Sequence, residues 1–191
     1  MSADQYPEFR LGKVLATSFT ATLTERCGEP VERIPVPRRL VEWLAVNGLM
    51  VDSCTDSQLD RAREVRESIH AAATAVADQA PLPPSAVRVI NDCSTNGVAS
   101  VVLTPEGRQE WRLGSASVED ALSVIAADAI SVISGERDGK MALCASPTCR
   151  AAFFDTSRGA TRRWCEMNTC GNREKKARFL ANKRQSPSPA H

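Results

Sequence analysis

Apolar residues recur at helical spacing along three stretches of the chain. Leu40, Val41, Leu44 and Leu49 follow Pro37 and predict a short amphipathic helix that ends near Gly48. Leu59, Ala62, Val65, Ile69, Ala73 and Val76 line one face of a longer helix that runs to about Ala80. Thr55 and Gln58 stand at the spacing of a capping box at its start, and Pro81, Pro83 and Pro84 stop it. Val118, Leu122, Ile125, Ala129, Ile130 and Ile133 form the third stripe. It begins after Ser117, with Asp120 three residues on, and stops at Gly135. Residues 85–92 predict a further short helix. Residues 100–104 and 108–113 are instead rich in β-formers, and Pro105 and Gly107 between them predict a hairpin. Residues 9–26 carry Thr, Val and Phe and fit either a strand or a helix. The body reads as helix-rich α+β with a small β-sheet.

A chain of 191 residues can bury a core without disulfides and suits one medium domain with a small appendage. It holds no run of apolar residues long enough to predict a membrane span. The opening MSADQYPEFR lacks the basic and apolar regions of a secretion signal, so a cytoplasmic location is expected. The formal net charge of +1 argues against nucleic-acid binding only until the chain is divided. Residues 1–143 carry −6 and residues 144–191 carry +7. The expected organisation is an acidic body over 1–140, a basic module over 141–184 and a disordered Pro/Ser-rich tail over 185–191.

The cysteines divide in the same way. Cys144 and Cys149, then Cys165 and Cys170, form two pairs with four residues inside each and fifteen between them. That is the arithmetic of a tetrahedral zinc site. Each pair makes a tight turn that aims two thiolates at one point, and four sulfurs with no water make a closed, structural site. Pro147 and Gly171 stand at turn positions. Zinc contributes on the order of 10 kcal/mol to folding such modules. Two disulfides, an iron–sulfur cluster or free thiols are the alternatives. The missing secretion signal weighs against the first and the spacing against the second. Cys27, Cys54 and Cys93 have no partner at metal spacing and are expected to be small buried hydrophobes.

Cys170-Gly171-Asn172-Arg173 directly follows the second pair, and Phe153, Asp155, Ser157-Arg158 and Arg162-Arg163-Trp164-Cys165 precede it. Over about residues 143–180 this resembles the CGNR zinc finger. The body resembles the ABATE domain that usually precedes that finger, through Trp43-Leu44, Gly48-Leu49, residues 61–69, Ile90-Asn91 and the helix around Ala126 to Ala129. The resemblance implies a partial barrel with helices in the body, one structural Zn²⁺, and a role in stress-induced transcription regulation. The family's N-terminal pattern L-D-F-x-N-T has its nearest counterpart in residues 17–22, where Ser18 and Ala21 replace Asp and Asn.

The residue chemistry points to nucleic acid as well. The run after Cys170 is helix-forming, and Ala177, Phe179 and Leu180 are expected to dock on the finger. Arg173, Lys175, Lys176, Arg178, Lys183 and Arg184 then project from its other sides, and Arg162 and Arg163 add basic groups in the loop. Asp155, Arg158, Trp164, Gly171 and Asn172 are expected to hold the finger itself. Asp155 would accept from arginines, Trp164 would sit in its core, and Gly171 would supply a conformation other residues resist. Asn172 would hydrogen-bond backbone at the turn into the helix. DNA is the expected partner, with RNA or an acidic protein as alternatives, and the body is expected to sense a small ligand or form a homodimer. His70 and His191, read as a surface and a tail residue, are the only histidines. Glu64 with Glu67 and Glu119 with Asp120 read as solvated pairs, and no phosphate-binding glycine loop is present, so no enzymatic activity is expected.

Overall fold

The computed structural model describes residues 6–185, so residues 186–191 of the expected tail, with His191, lie outside the described residues, whereas Gln185 is the last residue of the final helix. The undecided stretch near the N-terminus becomes a short helix, α1 (Leu15–Thr20), because Ala16, Ser18, Phe19 and Thr20 must all be buried at once. A small antiparallel pair follows, β1 (Leu23–Thr24) with β2 (Val31–Glu32). Next come α2 (Pro37–Val46), α3 (Asp56–Ala77) and α4 (Pro84–Thr95). Pro37 and Pro84 each open their helix where no donor is needed. The capping box at Thr55 is complete: Gln58 N donates to Thr55 Oγ1 and Thr55 N donates to the Gln58 side chain.

The predicted hairpin forms from β3 (Ala99–Leu103) and β4 (Gln109–Leu113), with Val101 opposite Trp111. Helix α5 (Val118–Ile133) starts at Ser117, whose hydroxyl accepts from Asp120 N. Its stripe proves wider than one face. Ala121, Val124, Ala126 and Val132 are buried along with Leu122 and Ile125, while Ile130 is exposed. The reason is position: α1, α3 and α4 all pack on α5, which makes it the central helix of the body. Gly135, at φ +81°, lets the chain leave it. The strands β5 (Lys140–Leu143) and β6 (Ala152–Asp155) pair next, and α6 (Asn172–Gln185) ends the described chain. The architecture is α+β, with strands in three separate two-stranded sheets and no closed barrel among the described residues.

The main core joins Phe19, Trp43, Leu44, Val65, Ile69, Leu122 and Ile125, with the Phe19 and Trp43 ring centroids 5.1 Å apart. Two expectations change here. Of the three unpaired cysteines only Cys93 is buried; Cys54 is half-buried and Cys27 is exposed in the β1–β2 loop. The carboxylate of Asp120 is not solvated either. It is buried and accepts from Val98 N, Ser115 N and Ser115 Oγ, each at 2.7 or 2.8 Å. It therefore ties both ends of the hairpin to the start of α5.

Candidate metal centre and basic helix

Strand β5 delivers Cys144 directly into a tight turn. Cys149 N and Arg150 N both donate to Ser146 O, and Cys144 N donates to Ala151 O, so two thiols face one point. The chain returns as β6, makes a loop, and Ala145 N takes Arg163 O to bring Cys165 back beside the turn. A π-helical turn, Met167–Gly171, then carries Cys170 and runs straight into α6. The wider turn follows from Gly171 N reaching back to Glu166 O.

The four Sγ atoms lie within 4.8 Å of one another, and those of Cys149–Cys165 and Cys165–Cys170 are 3.7 Å apart. Tetrahedral zinc with bonds of about 2.3 Å sets sulfurs about 3.8 Å apart, so the spacing fits the ion. It is far too long for disulfides, which excludes that alternative. Four thiols in contact cannot all ionise unaided. Hydrogen bonds from Cys144 and Cys165 hold the Cys149 thiol low, whereas burial and the Cys149 charge push Cys170 up to about 12. A divalent cation removes that conflict and is held as a closed structural site by Cys144, Cys149, Cys165 and Cys170.

Basic side chains surround the sulfurs. The Arg173 Nη2 atom is 3.6 Å from Cys170 Sγ and 2.9 Å from Ser146 Oγ. The same guanidinium pairs with Glu25 of the body at 3.0 Å. From the other side Arg10 lies 3.5 Å from Glu166 and in the field of Cys165. Body and finger are further stitched by Arg26 N to Cys149 O, Cys27 N to Thr148 O, and Thr148 Oγ1 to Glu25. His70, expected on the surface, is half-buried at this seam, 3.3 Å from Arg150 O. Burial, and then the Arg26 charge, lower its pKa to about 4, so the neutral ring is the form that fits.

Several expected roles change. Asp155 is buried but accepts from the backbone amides of Ser157 and Arg162, not from arginine side chains. Burial alone would raise its pKa; the Ser157 hydroxyl, those two amides and the Arg162 charge outweigh burial and lower it. Arg158 is exposed and bonds to no described residue, so it holds nothing in the finger. Gly171 does not have a positive φ. A Cβ there would lie 2.3 Å from Met167 Sδ, the end of a flexible side chain, and 3.2 Å from Trp164 Cδ1, so a larger residue would have to displace Met167 and crowd the tryptophan that packs on the cysteines. Asn172 keeps its expected role, donating from Nδ2 to Asn168 O at 3.2 Å. Trp164 packs against the cysteine cluster, as its position implied.

The basic residues divide into two groups. Arg162 folds back, donating to Trp164 O and Cys165 O and stacking over Phe153. With Arg173 committed to Glu25, both differ from the outward-facing groups expected. Arg163 lies over Trp164 at 5.2 Å and is exposed. Lys175, Lys176, Arg178 and Lys183 are exposed along α6 and form no ion pair with a described residue. The side chain of Arg184 lies outside the described residues. Phe179 and Leu180 do not dock: they are 66% and 44% exposed, because α6 is tied down at its first turn, where Arg173 and Glu174 meet Glu25 and Ser146, and both residues lie beyond it.

Arg10, Glu25, Ser146 and His70 were not legible as site residues. Glu25 and Arg173 are 148 positions apart, and neither carries a local signal of the other. Beside the seam lies a cleft of about 550 Å³, lined by Arg10, Lys13, Ser18, Phe153, Arg162 and Met167. The stretch 17–22 enters it through Thr17, Ser18 and Ala21.

A helical body clamped to a four-cysteine finger whose last ligand opens a basic helix defines a zinc-finger protein. The chain belongs to the ABATE family, described as "putative stress-induced transcription regulator", which matches residues 13–136. Residues 140–183 match the CGNR zinc finger. No curated protein matches the chain.

Proposed function

We propose that the protein is a DNA-binding transcription regulator that contacts DNA through α6 and the loop before it, and that it is not an enzyme. The observation that carries this reading is the exposure of α6. Lys175, Lys176, Arg178 and Lys183 stand on a helix fixed at one end by the zinc site, with Arg163 nearby. A charged helix held by its N-terminus is a common device for entering a groove. The cleft at the seam supports a ligand-sensing body, because a molecule there would touch α1 of the body and Arg162 of the finger together.

Five basic groups on phosphates give a log K against log salt slope of about −4 to −5. Fluorescence anisotropy of the full chain with random duplex DNA, duplex RNA and single-stranded RNA, titrated with salt, tests this. Tight binding to duplex DNA with that slope supports the reading. No binding to any of them at about 50 mM salt overturns it. The exposed ring of Phe179 among the lysines favours single-stranded RNA as a second reading, and a clear preference for single-stranded RNA over both duplexes would establish that one instead.

A further inference from the structure

The β3–β4 hairpin is poorly covered. Val98, Val101 and Leu103 are 71%, 51% and 79% exposed, and no third strand joins the sheet among the described residues. A two-stranded ribbon is marginal alone, and each open edge is a template for another strand. Helix α5 packs on β3, Trp111 and Leu113 of β4 are partly buried against the body's core, and the far edge of β4 pairs with no strand among the described residues.

The hydrogen bonds define which groups this outer edge offers. Gly114 N donates to Val98 O at 2.7 Å and Thr104 N to Arg108 O at 2.8 Å. With Val101 opposite Trp111, the even-numbered residues exchange bonds inside the hairpin. Gln109, Trp111 and Leu113 therefore turn their N–H and C=O groups to the open edge of β4.

That edge is complementary to itself. Laid antiparallel on a second β4 about a two-fold axis at Trp111, the two Trp111 residues become a hydrogen-bonded pair. Glu110 then falls opposite the second copy's Arg112, and Arg112 opposite its Glu110. These are the closely spaced, non-bonded pairs, where side chains interact most. Both residues are exposed and neither is ion-paired with a described residue. An axis at Gln109 would also oppose unlike charges, but it would need the turn residues 105–107 as strand. An axis at Trp111 uses all of β4. On the other face, the two Trp111 side chains, each partly buried against its own body's core, become cross-strand neighbours, while Val101 stays beside its own Trp111.

We propose that the chain forms a homodimer through antiparallel β4–β4 pairing centred on Trp111, with reciprocal Glu110–Arg112 contacts as its specificity. The dimer presents α6 twice, so where α6 contacts DNA, as proposed above, its target is a two-fold repeat.

Sedimentation of the full chain across a concentration series tests the pairing, with one Zn²⁺ per chain as the check on folding. The native chain should dimerise. Glu110→Arg and Arg112→Glu should each weaken the dimer by on the order of tenfold or more, since each reversal acts twice. Glu110→Arg/Arg112→Glu in one chain should restore it, and an equimolar mixture of the two single variants should form a mixed dimer. A native chain that stays monomeric, a dimer indifferent to single reversals, or single variants that fail to pair on mixing would each overturn the proposal.

Discussion

Asp120 shows how much one carboxylate can organise. Burial alone would raise its pKa, but hydrogen bonds from Val98, Ser115 and Ser117 bring it from 3.8 to about 2. A depressed carboxylate stabilises the fold above its unfolded pKa and loses that contribution as pH falls through the folded one. Denaturant melts should show stability declining between about pH 4 and pH 2, with a shallower decline in Asp120→Asn. At pH 7 that substitution should cost about 1–3 kcal/mol, because it places an amide donor against two backbone donors. His70 acts over a higher window. Its folded pKa is about 4 against 6.5 ordinarily, so between these values the unfolded chain binds more protons and stability falls with falling pH. His70→Gln should flatten that part of the profile. Neither role was legible. A carboxylate in the first turn of a helix reads as solvated, and its burial here depends on a hairpin arriving from another part of the chain.

At the scale of elements, what was legible followed local chemistry. The capped start of α3, the proline starts, the hairpin turn and the zinc spacing all depend on residues a few positions apart. Where packing decided, the sequence misled. The stripe on α5 was too narrow because three helices surround it, and α6 was expected to dock because Phe179 and Leu180 are apolar. Helix α6 carries little apolar surface, and Arg173 and Glu174, which meet Glu25 and Ser146, stand in its first turn. A 14-residue helix is marginal alone. It should therefore depend on the zinc site that fixes its first turn. Chelation should lower helical ellipticity by roughly the share of α6, while the melting transition of α3–α5 persists. Coincident loss of both signals would contradict this. Arg173→Ala should speed zinc transfer to a chelator by removing the donor to Cys170, and Arg173→Lys should rescue it only in part.

At the scale of the whole molecule, the acidic body is more than a counterweight to the basic finger. Glu25 pairs with a half-exposed guanidinium of the finger, so it would compete with phosphate for Arg173. Glu25→Ala should release Arg173 and steepen the salt dependence of DNA binding by about one unit of slope. An unchanged slope would mean that the pair is not in competition with phosphate. The metal site has one more consequence. The +7 of residues 144–191 counts Lys, Arg, Asp and Glu alone. Four thiolates around one Zn²⁺ subtract two, and Arg10 of the body returns one. Loading the ion is thus an acid–base event in which thiol protons leave as the metal enters. Retention of the ion must be steeper in pH than any single side chain could make it. Acidification would release the metal and slacken α6 in one step, so the finger's grip on any partner is linked to the proton concentration around it.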